Sequence, residues 1–134
     1  MNSLADLTIA IDLDGTISEE SYEDYIKLGA KKYVKSRKPF AGVVATINEL
    51  YSKQVKIIFY TARDENLRSL TEQWLKKHNI QHHQLLMNRP KADIYLNDRA
   101  FPLNKWIWSP EIAKQNLSNW SKNLIKKEKE KKHD

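Results

Sequence analysis

Residues Leu7–Thr16, with the sequence LTIAIDLDGT, decide the fold. The first part, Leu7–Ile11, is short, apolar and rich in β-formers, which is typical of a buried strand in a parallel sheet. Two carboxylates, Asp12 and Asp14, follow it, and Gly15 then allows the chain to turn sharply. Ligands of open α/β sheets bind where such strands end. This stretch therefore predicts a binding crevice at the end of a buried strand.

The two carboxylates indicate a site for a divalent cation. Alternate residues of a strand point the same way, so the side chains of Asp12 and Asp14 are expected to lie close together. Carboxylates held close together repel each other, and a divalent cation is the usual remedy. The alternative is a surface turn, because Asp-Gly is common in turns, although turns do not usually follow a run of buried-type residues. An EF-hand loop and a P-loop are excluded, because their required residues do not occur.

Length and composition limit the class of protein. The 134 residues suffice for one domain, and contents of 40% hydrophobic and 30% charged residues suit a soluble globular protein. No run of about 18 apolar residues occurs, so no transmembrane helix is expected. The N-terminus lacks the pattern of a signal peptide, and the chain has no cysteine for a disulfide or a thiolate zinc site. A cytoplasmic location is therefore the expectation.

The charge of the chain favours anionic ligands. The formal net charge is +6, which suits partners from phosphate esters to nucleic acid. Much of the excess lies in the sequence KKEKEKK at residues 126–132. We expect a solvated tail over residues 126–134, and a nucleic-acid-binding arm is the alternative.

The order of the remaining elements predicts an α/β fold. Apolar strand signals recur at Val55–Tyr60, Gln84–Met87 and Ile94–Leu96. Helical apolar spacing begins at Pro39 and again after Asp64, which is a good N-cap. A strand, helix, strand order of this length implies a right-handed parallel crossover. We therefore expect a three-layer, Rossmann-like parallel sheet with helices on both faces.

Aromatic and histidine residues in the second half have two interpretations each. Trp74 lies on the apolar stripe of a helix and is expected in the core rather than as a ligand platform. His78, His82 and His83 cluster in sequence, but no further ligand with tetrahedral spacing is evident. We therefore expect polar loop residues there rather than a zinc site.

The C-terminal third is expected to pack on the sheet. Trp106 and Trp108 alternate as in a strand, and Ser109-Pro110 is typical of a helix start. The apolar residues of the following segment share one helical face. Core packing is the preferred interpretation, and a nucleic-acid surface of exposed Trp and Lys is the alternative.

Residues Asp12–Thr16 resemble motif I, D-x-D-x-T, of the haloacid dehalogenase-like (HAD) phosphatases. Three later segments extend the resemblance in the family's order. Thr61 follows an apolar strand, as the Thr or Ser of motif II does. Arg89 and Lys91 flank Pro90, where the family places the Lys of motif III. Either cation could fill that role, since Arg forks two donors to a phosphate.

The predicted strand Ile94–Leu96, which runs into Asn97-Asp98, resembles motif IV of the family. In the family, the second acid of this motif commonly completes a magnesium site, which points to Asp98. Asn97 stands where the family has the first acid. The amide reduces the negative charge near the ion, but it can still bind water or the metal.

The resemblance implies a single HAD-like domain over residues 1–125 without a separate cap domain. The segment between motif I and Phe40 is too short for such a domain, so we expect a flap over about residues 17–39 and a site open to bulky substrates. This flap is basic, and its cations either hold an anionic substrate or form a solvated loop. They are Lys31, Lys32, Lys35, Arg37 and Lys38.

Catalytic roles are implied residue by residue. Asp12 would attack phosphorus and form an aspartyl phosphate, and Asp14 would protonate the leaving oxygen and then activate water. Mg²⁺ would be bound by Asp12, the backbone carbonyl of Asp14 and Asp98. The residues implied to hold the phosphoryl group and substrate are Gly15, Thr16, Thr61, Ala62, Arg63 and Asn97, with Arg89 or Lys91.

The expected function is Mg²⁺-dependent hydrolysis of a phosphorylated small molecule, such as a sugar phosphate or a nucleotide, with no membrane partner. One alternative is a 3′-phosphatase for DNA or RNA ends, because Asn97-Asp98-Arg99 is similar to the Asp-Asp-Arg of polynucleotide end-repair phosphatases. A second alternative is a catalytically weak phosphate-binding module on the same fold, because Asn97 replaces an acid and motif III is unsettled.

Overall fold

The structure is a computed structural model that describes residues 3–88, 92–96 and 106–119. Four predicted site residues lie outside these ranges, as does the predicted tail over residues 126–134. They are Arg89, Lys91, Asn97 and Asp98. Among the described residues, no helix has the length and apolarity that a membrane span requires.

A four-stranded, wholly parallel sheet forms the centre of the protein. Its strands are β1 (Thr8–Asp12), β2 (Lys56–Tyr60), β3 (Gln84–Leu86) and β4 (Ile94–Leu96), in the order β3-β2-β1-β4. The strands coincide with the apolar runs of the sequence, because a parallel sheet covered by helices buries both faces of its strands. The α/β class with a Rossmann-like parallel sheet is confirmed.

The register of β1 brings the ends of its neighbours to one edge. Asp12 lies beside Tyr60 of β2, and Ile11 lies beside Leu96 of β4. Ile9 and Ile11 are fully buried. The carboxyl ends of β1, β2 and β4 therefore meet at the same edge of the sheet, which we call the carboxyl edge.

Helices flank this sheet. They are α1 (Tyr22–Leu28), α2 (Ala30–Ser36), α3 (Val43–Ser52) and α4 (Arg68–Lys77). Residues 110–119 are also helical and form the described part of α5. As predicted, Ser109 precedes this helix, and its carbonyl accepts the N–H of Ala113 at 2.9 Å.

The predicted flap contains two short helices, α1 and α2, for which the sequence showed no clear pattern. The Ser21 hydroxyl accepts the Asp24 N–H at 3.1 Å and caps α1. Gly29, with a left-handed φ of 78°, ends α1 and begins α2. No residue of α1 is buried, and this explains why helical apolar spacing gave no signal there.

Two predictions, the start of α3 and a strand near Trp106, are wrong. Helix α3 begins at Val43 rather than at Pro39, because Gly42 before it adopts a left-handed φ of 86°. A Cβ at Gly42 would lie 2.0 Å from the carbonyl oxygen of Trp108, so only glycine fits this approach.

Residues 106–109 do not form the predicted strand. Trp106 is buried, and its ring meets that of Trp108 edge to face at 5.5 Å, so the alternation reflects packing rather than pleating.

Arg37 fastens the flap to the rest of the protein and does not face solvent. Its Nη2 donates to Asp24 at 2.7 Å, and its guanidinium lies 4.3 Å from the ring centroid of Tyr33. Its carbonyl accepts the indole N–H of Trp74 at 2.7 Å. Trp74 is buried in the core, as predicted. Arg37 is therefore occupied by structural contacts and is not part of a solvated loop, whereas Lys31, Lys32, Lys35 and Lys38 are exposed.

Candidate active site

Neighbouring strand ends bring Asp12 and Thr61 to the carboxyl edge. Asp12 is the last residue of β1, and Thr61 directly follows β2 beside it. The Thr61 N–H donates to the carbonyl of Leu86 at 3.1 Å, which extends the pairing of β2 with β3 by one residue. Thr61 is only 2% exposed. Thr61 thus follows its strand, as the sequence predicted, and lies next to the end of β1.

A tight loop after β1 carries Asp14 around the end of the strand. The Asp12 carboxylate accepts the Leu13 N–H at 2.8 Å. The Leu13 carbonyl accepts the N–H groups of Thr16 and Ile17, at 3.2 and 3.1 Å. Gly15 has a left-handed φ of 80°, a conformation that glycine adopts without steric cost. The loop therefore needs the glycine of the DLDGT sequence for its backbone geometry.

Asp14 forms a two-point ion pair with Arg63. The Arg63 Nε donates to Oδ2 at 3.0 Å, and Nη2 donates to Oδ1 at 2.7 Å. The two side chains are 23% and 10% exposed. Such forked, partly buried pairs are among the stronger ionic contacts in proteins. From the sequence, Arg63 could either contact a substrate phosphate or pair with a carboxylate, and in this structure it pairs with a carboxylate.

The guanidinium of Arg63 is itself held by α4. Its Nη1 donates to the Thr71 hydroxyl at 3.0 Å, and that hydroxyl donates to the carbonyl of Leu67 at 2.8 Å. The Arg63 N–H also donates to the Thr61 hydroxyl at 3.1 Å. A hydroxyl can donate as well as accept, so the Thr61 O–H proton remains available to a ligand.

Two further oxygen groups of the loop remain available for contacts. Within the described part of the chain, the Thr16 hydroxyl has no hydrogen-bond partner, although Thr16 is only 1% exposed. A buried hydroxyl without a partner is unfavourable, so its position suits a polar ligand. The carbonyl oxygen of Asp14 accepts no backbone N–H from the described residues. Ala62, beside Thr61, is exposed at the surface.

The donor groups in the described part fit a hard cation such as Mg²⁺. Asp12 and the loop carbonyl of Asp14 are oxygen donors, which Mg²⁺ prefers. The third expected ligand, Asp98, lies outside the described residues, two positions after Leu96 at the end of β4. The described ranges alone hold no group of three His, Cys, Asp or Glu residues that could bind a metal.

The three histidines serve packing. The ring of His78 lies 4.7 Å from that of Trp74, and the ring of His82 lies 5.5 Å from that of Phe59. Burial lowers the pKa of His78, and Lys77 adds to this effect. His83 accepts the Ile57 N–H on Nδ1 at 3.0 Å. The three rings therefore make separate packing contacts at the end of α4 and in the segment before β3.

Sequence reasoning missed Thr71 and three tyrosines of the flap. Thr71 contacts Arg63 from the next helix, and no local pattern reveals such a contact. Tyr22, Tyr25 and Tyr33 line a cavity of about 420 Å³ beside the Asp14–Arg63 pair. The spacing of Tyr22 and Tyr25, three residues apart, could have indicated a shared helical face.

Comparison with known proteins supports the fold and leaves the function open. No model of a known protein family matches the chain, and no curated protein matches it. The chain is similar to the structure of a conserved protein from Bacteroides thetaiotaomicron, with 20% identity, a TM-score of 0.60, and coverage of 84% of this chain and 91% of that one. It is also similar to a crystal structure of a protein from Vibrio cholerae, with 19% identity, a TM-score of 0.52, and coverage of 88% and 98%. These likenesses show a shared fold.

The contact between Thr71 and Arg63 can be tested by removing one hydroxyl. We expect Thr71→Val to lower the free energy of unfolding by about 1–3 kcal/mol, because a charged donor loses its acceptor. Thr46 of α3 is the matched control, since it is equally buried and its hydroxyl has no partner within the described residues. Thr46→Val should be neutral or stabilising. Urea unfolding measures both, and equal losses for the two variants would contradict the assignment.

Proposed function

We propose that this protein is a Mg²⁺-dependent phosphomonoester hydrolase of the HAD-like type. The observation that carries the proposal is the meeting of strand ends at the carboxyl edge. Asp12 ends β1, Thr61 follows β2 beside it, and β4 ends next to Ile11. This arrangement supports the proposal, because the resemblance to the HAD phosphatases requires the strands that precede motifs I, II and IV to end at one edge. The lack of cysteine suits a reducing compartment such as the cytoplasm.

The first chemical step transfers the phosphoryl group to Asp12. A carboxylate oxygen of Asp12 attacks phosphorus, a new oxygen–phosphorus bond forms, and the bond to the leaving oxygen breaks. Asp14 donates a proton to the leaving oxygen, which departs as an alcohol. Thr61 and Thr16 can donate their hydroxyl protons to phosphoryl oxygens, where negative charge must be stabilised.

The second step returns the enzyme to its starting state. Asp14, now a carboxylate, takes a proton from a water molecule that attacks the aspartyl phosphate. The bond between phosphorus and the Asp12 oxygen breaks, and inorganic phosphate leaves. Asp12, the Asp14 carbonyl and Asp98 would hold Mg²⁺, which supplies Lewis-acid stabilisation of the phosphoryl charge when bound.

The ion pair of Asp14 with Arg63 sets a condition on this chemistry. Both Asp14 oxygens accept guanidinium donors in this structure, so one of these contacts must open and the freed oxygen must take up a proton before Asp14 can act as the acid. The Oδ2 contact is the longer, at 3.0 Å against 2.7 Å. Arg63 thus positions Asp14 at the edge of the site.

The same ion pair favours a second candidate function. A site whose acid is held by two donors, and whose sequence has Asn97 in place of an acid, could bind phosphate without turning it over. The hydrolase turns its substrate over and the binding module does not, so a turnover assay distinguishes the two functions.

Turnover of para-nitrophenyl phosphate tests the proposed nucleophile. We expect hydrolysis by the wild type with Mg²⁺, loss of activity on chelation, and a fall of about 10³-fold or more for Asp12→Asn, because an amide is a poor nucleophile. Asp93→Asn is the control. Asp93 accepts the Thr8 N–H at 2.7 Å at the start of β1, a contact that an amide oxygen can keep. Equal turnover by Asp12→Asn and wild type would refute the enzyme, and no turnover by either would favour the binding module.

Asp14→Asn tests the acid and base role. Nitrophenol leaves with little protonation, so we expect a rapid burst of about one nitrophenol per protein followed by slow turnover. The leaving oxygen of an alkyl phosphate must be protonated, so for such a substrate the variant should also lower the rate of the first step. Mass spectrometry should find one phosphoryl group on the protein after the burst. A variant with unchanged rates on both substrates would exclude Asp14 from this role.

A further inference from the structure

A cavity of about 420 Å³ lies between the flap helices and the Asp14–Arg63 pair. Its volume falls within the roughly 300–1,000 Å³ that is usual for small-molecule sites. Of the described active-site carboxylates, Asp14 lines the cavity and Asp12 does not. The cavity therefore adjoins the side of the site where the acid lies, and not the side of the nucleophile.

Three tyrosines form the distinctive part of the cavity wall. Tyr33 is fixed, because its hydroxyl accepts the Ser21 N–H at 2.9 Å and the Arg37 guanidinium lies against its ring. Tyr25 meets Tyr33 edge to face, with ring centroids 5.5 Å apart. Tyr22 and Tyr25 are 79% and 44% exposed. The ring of Tyr25 is thus held beside the cavity, and the ring of Tyr22 is exposed next to it, so a flat ligand can cover both rings.

The charges of the cavity wall limit what can bind. The Asp14 carboxylate is neutralised by Arg63. Glu20 adds a further carboxylate at the surface. The wall therefore disfavours a group with a second phosphate and accepts a neutral one, because like charges repel.

We propose that this cavity binds the planar base of the leaving group, so that the substrate is a phosphomonoester of a nucleoside. This inference rests on the proposed function, in which Asp14 protonates the leaving oxygen and the leaving group must lie beside it. Aromatic side chains stack on any nucleobase, since every base has a π-face. Tyr22 and Tyr25 are the specificity-determining residues. A free nucleotide and the 3′-phosphate end of a nucleic acid present the same ring.

The test compares substrates that differ only in the base. We expect kcat/KM for adenosine 5′-monophosphate to exceed that for ribose 5-phosphate by about tenfold or more, through a lower KM. Adenosine 5′-diphosphate should be the poorer substrate of the two nucleotides. A 3′-phosphorylated oligonucleotide is compared with the mononucleotide to find which molecule carries the bound base. A higher kcat/KM for the oligonucleotide indicates a nucleic-acid end, and a higher kcat/KM for the mononucleotide indicates a free metabolite. Equal kcat/KM with and without the base would overturn the inference.

Variants of α1 assign the preference to the tyrosines. Tyr22→Ala should raise the KM for adenosine 5′-monophosphate about tenfold relative to that for ribose 5-phosphate, and Tyr22→Phe should restore it. Ile26→Ala is the matched control, because Ile26 is 62% exposed on the same helix and does not line the cavity. It should leave both KM values unchanged. A preference for the base that survives Tyr22→Ala and Tyr25→Ala would contradict the assignment.

Calorimetry separates failure of this inference from failure of the proposed function. Asp12→Asn protein is titrated with adenosine 5′-monophosphate and with ribose 5-phosphate. Tighter binding of the nucleotide, lost in a variant that also carries Tyr22→Ala, supports the cavity even if no ester is hydrolysed. Equal binding of the two ligands overturns the inference, whatever the turnover of para-nitrophenyl phosphate.

Discussion

The parallel pairing of β1 with β2 on one side and β4 on the other is the constraint on which the candidate site depends. This register places the end of β1 beside the ends of both neighbours. Because Ile9, Ala10 and Ile11 are all fully buried, a shift by one residue would exchange large and small side chains between the two packed faces of the sheet and would move Asp12. Core packing therefore fixes the position of Asp12, the candidate nucleophile.

A second constraint acts across the edge of the sheet. Arg63 and Asp14 are 49 positions apart in sequence, and their forked contact joins the loop after β1 to the segment after β2. Thr71 extends this contact into α4. The candidate acid is thus held by three separate parts of the chain. Such support is what a site needs if a side chain is to be positioned for chemistry.

The sequence predicted those features that arise from burial on both faces of a strand or on one stripe of a helix. The runs ending at Ile11, Tyr60 and Leu96 are mostly apolar, and Trp74 lies on a regular stripe, so their places in the core could be predicted. The flap helices could not be, because α1 leaves Tyr22, Tyr25, Ile26 and Leu28 exposed and so lacks an apolar stripe. The approach of Trp108 to Gly42 depends on tertiary packing, which no local pattern encodes.

We propose that Asp12 and Asp98 converge on one hard cation. Calorimetric titration of Mg²⁺ tests this convergence without any substrate. We expect Asp12→Asn and Asp98→Asn each to weaken Mg²⁺ binding about tenfold or more, whereas Asp93→Asn, at the other end of β1, should not. Wild-type affinity in Asp98→Asn would contradict the claim, because Asp98 would then lie away from the ion.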